Sequence, residues 1–95
     1  MQAIGIIVEL LSLLIDFQLF KNVTQKDIER NIEQLKERSW FQYYLKNEKY
    51  RGLIQDDKDV RHLIGKFNTK KLGRDSSYHE KCHDKLERML EKKSR

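Results

Sequence analysis

The rhythm of hydrophobic and polar positions changes at Lys21. From Ala3 to Phe20 the chain reads AIGIIVELLSLLIDFQLF, with large apolar side chains at nearly every position. Gln2, Gly5, Glu9, Ser12 and Asp16 interrupt it at spacings of 3, 4, 3 and 4. That spacing gathers them into one narrow stripe of a helix and leaves the rest of its surface apolar, with Ile4, Ile7, Leu11, Leu14 and Phe17 among the residues covering it. Residues 1–21 therefore read as an apolar N-terminal helix, and residues 22–95 as a separate, charged helical domain.

Beyond Lys21 the apolar positions are sparser and keep helical periods. Thr24 is placed as an N-cap with Asp27 at the third helical position, and Val23 and Ile28 sit where a hydrophobic staple would. This spacing predicts a helix from Thr24 to about Tyr50, with Gly52 as its stop signal. Ile28, Ile32, Leu35, Tyr43 and Tyr50 fall on one side of it. Trp40, Phe41, Tyr44 and Leu45 fall on others, as expected of a helix with neighbours on two sides. A further helix restarts at Asp56 or Asp57 and carries a Val60, Leu63, Ile64, Phe67 stripe. The stretch NTKKLGRDSS reads as a connection. Ser77 with Glu80 forms a second capping-box pattern, opening a helix from about Tyr78 to Lys92 with Tyr78, Cys82, Leu86, Met89 and Leu90 inward. No convincing period-2 alternation appears. The expected fold is all-α: three to four helices, the first highly apolar and serving as a membrane anchor or a bundle core.

Charge sharpens the division. The first twenty residues contain Glu9 and Asp16 and no lysine or arginine, so all twenty basic residues lie from Lys21 onward. A net charge of +5 concentrated in this way points to a membrane, a nucleic acid or an acidic partner. Proline is absent and glycine occurs four times, which suits helices. One cysteine excludes an internal disulfide and suits a reducing compartment. The start lacks the basic n-region and small-residue cleavage site of a secretory signal.

The apolar segment has two placements. Eighteen residues at about 1.5 Å each span ~27 Å, near the thickness of a bilayer's hydrocarbon core, and the basic residues after it would face the cytoplasm. Against this, Glu9 near the middle costs roughly 2.5–3.5 kcal/mol on insertion, with Asp16 adding more. In the alternative, the apolar faces of the later helices cover the segment in a cytoplasmic bundle, leaving only its polar stripe wet.

Candidate chemistry is limited. His79, Cys82 and His83 lie at i, i+3 and i+4 of one helix, a spacing within reach of one metal ion. Zinc would need a fourth ligand from His62, Glu87 or a second chain. The alternative is an ordinary mixed helix face with cysteine packed as a small hydrophobe. Lys66, Lys70, Lys71 and Arg74 form a run that suits phosphate contact in nucleic acid or anionic lipid, or a solvated loop. Trp40, Phe41, Tyr44 and Leu45 form an apolar patch suited to partner contact or to helix packing. His62 near Asp59 has no nucleophile at a telling spacing. Nothing in the sequence calls for a cofactor. The expected function is a non-enzymatic interaction or assembly protein. Its first helix docks in a membrane or an apolar partner surface, and its basic tail contacts protein partners or a second copy. A small basic nucleic-acid-binding protein is the alternative.

Overall fold

The structure, a computed structural model, describes residues 22–95, and residues 1–21 fall outside the described part. The expected apolar helix, with Ile4, Ile7, Leu11, Leu14 and Phe17, lies there. The described residues are all-α: α1 (Gln25–Leu35), α2 (Ser39–Lys46), α3 (Glu48–Asp56), α4 (Lys58–Lys66), α5 (Thr69–Arg74) and α6 (Ser76–Lys93). Among them no helix is long and apolar enough to cross a membrane.

Six helices stand where three were expected over this region, with α4 and α6 near their expected positions, and the joints show why. Asn47, Asp57 and Asp75 each end one helix and cap the next, in extended backbone conformation. Asn47 Oδ1 accepts from the Tyr50 amide at 3.2 Å. Asp57 Oδ1 accepts from the Asp59 and Val60 amides at 2.9 and 3.0 Å, and Asp75 Oδ1 from Tyr78 at 3.1 Å. Asn68 caps α5 in the same way through the Lys71 amide at 3.1 Å. Short Asn and Asp side chains compete for backbone donors, so they end helices without proline or glycine. Each cap contributes about 1 kcal/mol.

Several boundaries differ accordingly from the sequence expectation. The single helix from Thr24 to Tyr50 is three, broken at Lys36–Arg38 and at Asn47. Gln42 Nε2 donates to the Lys36 carbonyl at 2.7 Å and satisfies an orphan acceptor at the first break. That break rephases α2 relative to α1. Phe41 and Tyr44 turn inward, while Tyr43 is 70% exposed. Gly52 stops nothing and sits inside α3. The stretch expected as a connection contains α5. The cap of the last helix is Asp75, upstream of the expected Ser77, which lies inside α6.

The start of α1 matches its sequence signals. Thr24 Oγ1 accepts from the Asp27 amide, and Asp27 Oδ2 accepts from the Thr24 amide, both at 3.1 Å. Val23 and Ile28 both lie over Gly65 of α4. A Cβ at Gly65 would stand 2.2 Å from Val23 Cγ1 and 2.9 Å from Ile28 Cγ1. Glycine is required there by the closeness of the crossing.

The core gathers Leu35, Phe41, Ile54, Val60, Ile64, Leu72, Leu86 and Leu90, with the predicted Val60/Leu63/Ile64/Phe67 stripe wholly buried. Burying each large apolar side chain contributes roughly 1.5–3 kcal/mol. One polar residue joins them. Asn31, 1% exposed, donates through Nδ2 to the Ile64 and Phe67 carbonyls at 2.8 and 3.0 Å, tying α1 to the C-terminal end of α4. Its Oδ1 is buried and accepts no hydrogen bond. Helix α6 packs against α3, α4 and α5 and is joined to α2 through ring contacts, so it closes the domain.

Candidate functional site

Among the described residues, two of the places that bring charged or polar side chains together with apolar surface are built around α6. The first joins α2 to α6. The i, i+4 spacing of His79 and His83 carries both imidazoles to the side of α6 that meets α2. Trp40 Nε1 donates to His79 Nε2 at 2.8 Å, and the Trp40 ring stacks on His83 with centroids 4.2 Å apart and planes 18° from parallel. His83 Nε2 and the Tyr44 hydroxyl are hydrogen-bonded at 2.8 Å. Tyr50 packs edge-on against Tyr44 at 5.7 Å. As an acceptor, His79 Nε2 carries no proton, so the neutral ring holds its proton on Nδ1. Burial foremost, then the Arg38 and His83 charges, holds His79 below the ordinary histidine value; Glu80 opposes this weakly. Burial also pushes the Tyr44 phenol well up, with Glu87 the next cause. Tyr44 is therefore a neutral hydroxyl at physiological pH.

This arrangement locates two groups of sequence candidates. Phe41 and Tyr44 are 0% and 4% exposed, and Trp40 and Leu45 pack half-buried against the core. Much of that aromatic surface is used inside the domain. Of the three metal candidates, His79 and His83 face Trp40 and Tyr44, whereas Cys82 is buried in the core cluster and lines a recess with Leu63 and Phe67. Among the described residues no group of three or more His, Cys, Asp and Glu side chains is arranged to hold a metal ion.

The second place is the seam between α4 and α6. The helices run antiparallel there. At one end Lys93 reaches Asp59 at 2.6 Å and Asp57 at 3.4 Å. The bond to Asp59, foremost, raises the Lys93 ammonium above its ordinary value. The Val60 amide, foremost, holds Asp57 low. From this clamp an open trough of about 560 Å³ runs along Asp59, His62, Leu63 and Lys66 of α4 and Met89, Lys92 and Lys93 of α6. Past Leu63 and Lys66 it narrows into a recess lined by Phe67, Tyr78, Lys81, Cys82 and Lys85. Lys71 lies over the Tyr78 ring at 4.9 Å, and the Tyr78 hydroxyl accepts from the Asn68 amide at 2.8 Å. The seam thus has an apolar floor and a lysine rim. Among the described lining residues Asp59, held by Lys93, is the one carboxylate.

The phosphate candidates do not share one pocket. Lys66 lines the seam, Lys71 lies on Tyr78, and Lys70 lines a different cleft with Arg30, Gln34 and Thr69. Arg74 closes α5. The residues that do assemble, Lys81, Lys85 and Lys92, escape a reading that tracks local charge runs. Their signal is periodic. Lys81, Lys85, Arg88 and Lys92 repeat at 4, 3 and 4, while Glu80, Asp84, Glu87 and Glu91 do so one residue out of phase. At 100° per residue these are two separate stripes, basic beside the seam and acidic beyond it. The Arg88–Asp84 pair at 3.1 Å bridges them.

No family model matches the chain, and no curated protein or solved structure resembles it at a significant level.

Proposed function

We propose that the chain is a non-enzymatic helical interaction module whose α4–α6 seam contacts an acidic protein partner. One observation carries this reading: lysines from two helices converge on a trough floored by Leu63 and Met89. Charge complementarity steers such a partner, and the apolar floor gives the contact residence. The floor also favours protein over nucleic acid. A strand of phosphates needs no apolar trough, and single-strand binders expose aromatic rings for stacking. Here Trp40 and Tyr44 are engaged by histidines of α6, and Tyr43 is the large aromatic that stands exposed among the described residues. The apolar segment 3–20, read from its sequence, forms a second contact region docking in a membrane or an apolar partner surface.

The test is retention of the full chain on immobilised polyglutamate and on immobilised single-stranded DNA across a salt series. Retention on polyglutamate that weakens in Lys66→Glu/Lys92→Glu supports the reading. Stronger retention on DNA, with a steep salt dependence unmoved by those two changes, overturns it in favour of phosphate binding elsewhere. Fractionation of the expressed chain tests the second region: a requirement for detergent supports membrane docking, and recovery in aqueous buffer supports an apolar protein surface.

A further inference from the structure

Resting on that reading, we propose that the occupant of the seam is an amphipathic helix whose apolar edge is flanked by carboxylates. The backbone around the trough excludes strand addition, one of the common peptide modes. Both walls are helices whose amides and carbonyls are turned into their own hydrogen-bond ladders, so no sheet edge is offered for strand addition. A groove between two antiparallel helices suits a third helix laid along it, presenting apolar side chains at i, i+3 and i+4.

The lining fixes the pattern such a helix needs. Leu63 and Met89 form the floor, with Lys66, Lys81, Lys85 and Lys92 along the rim. The nine residues of α4 are about 14 Å long at 1.5 Å each, so the seam accommodates two to three turns. A ligand with leucine-type side chains along one edge and glutamates on its flanks meets floor and rim together. Most of the rim lysines lie on α6, so its basic stripe fixes where the carboxylates fall. The acidic stripe of Glu80, Asp84, Glu87 and Glu91 on the far side of α6 repels the same ligand from the wrong face. The binding face is thereby selected as well as affinity.

The probe is a labelled synthetic helix built from Glu, Leu and Ala with leucines at i, i+3, i+4 and i+7. It is compared with a scrambled peptide of identical composition and with a single-stranded thymidine oligonucleotide. Binding to the full chain is read by anisotropy, and the contact is mapped by amide chemical shifts. The expected result is binding of the patterned helix about tenfold tighter than the scramble, with shifts concentrated at Leu63, Lys66 and Met89. Met89→Ala should reduce that preference while leaving the circular dichroism spectrum unchanged, which separates loss of floor from loss of fold. Equal binding of patterned and scrambled peptides, mapped to the seam, overturns the helical occupant and leaves the acidic-partner reading standing. Shifts elsewhere, or binding of the oligonucleotide alone, overturn both.

Discussion

Gly52 and Gly65 are both helical, and replacing each by alanine should move stability in opposite directions. Alanine is favoured over glycine inside a helix by about 1 kcal/mol, because glycine loses more backbone freedom on folding. At Gly52 of α3 a Cβ would meet nothing within 4 Å, so Gly52→Ala should keep that gain almost whole. At Gly65 the same methyl would fall 2.2 Å from Val23 Cγ1 and 2.9 Å from Ile28 Cγ1. Both are short, branched side chains that cannot swing aside freely. Overpacking of this kind costs roughly 1–3 kcal/mol. If α1 lifts instead, much of the burial of Ile28 goes with it, again about 1.5–3 kcal/mol. Set against the propensity gain, Gly65→Ala should be destabilised by up to about 2 kcal/mol. The two variants then differ by roughly 1–3 kcal/mol, or at least about 4 °C in Tm for a domain of this size. Urea unfolding monitored by helical circular dichroism gives the comparison directly, and an unchanged m-value shows that the same transition is being measured. A Gly65→Ala chain as stable as Gly52→Ala would refute the close crossing of α1 over α4.

Other residues give independent checks. Asn31→Asp removes the donors that hold the Ile64 and Phe67 carbonyls and sets a carboxylate against them in a site 1% exposed. A loss of about 3–5 kcal/mol is expected, partly recovered in acid as the carboxyl protonates, as read by denaturation at two pH values. Asp57→Ala strips the α4 cap and one partner of Lys93, and should cost about 1 kcal/mol for the cap alone. Thermal unfolding measures it, and Asp57→Asn should recover most of the loss because the amide oxygen still caps. His79 takes up a proton less readily when folded than when unfolded. Its contribution is therefore complete above its ordinary value of 6.5 and is lost as pH falls below it. Trp40 fluorescence and stability should change together in that window, and His79→Gln should remove that part of the pH dependence.

Helical character is legible in the sequence because it lies in periodicity. The Val60/Leu63/Ile64/Phe67 and Cys82/Leu86/Leu90 faces and the Thr24–Asp27 capping box are visible in spacing alone. The joints are harder to read. Asn47 sits inside a run of good helix formers, and only its side-chain bond to the Tyr50 amide makes it a boundary. Helical spacing carried unbroken through Lys36–Arg38 points Tyr43 inward, although it faces water. The seam is hidden for another reason. Its lysines belong to two helices joined only by tertiary packing, and the charge run from Lys66 to Arg74 is more conspicuous in the sequence than the stripe on α6. The closeness at Gly65 likewise depends on where α1 crosses α4, which no local pattern states.

That α6 closes the domain has a consequence for its birth on the ribosome. Translation delivers α1 to α5 first, yet Val60 and Leu63 belong to a core cluster that Cys82, Leu86 and Leu90 complete. Until residues 76–93 emerge, those surfaces must be shielded by chaperones or by transient collapse. The described domain gains little by folding early, and its commitment comes with the eighteen-residue α6. A message truncated within α6 would therefore yield a product for degradation rather than a shorter working domain. Cellular quality control would read the integrity of this domain through Leu90 from this one helix.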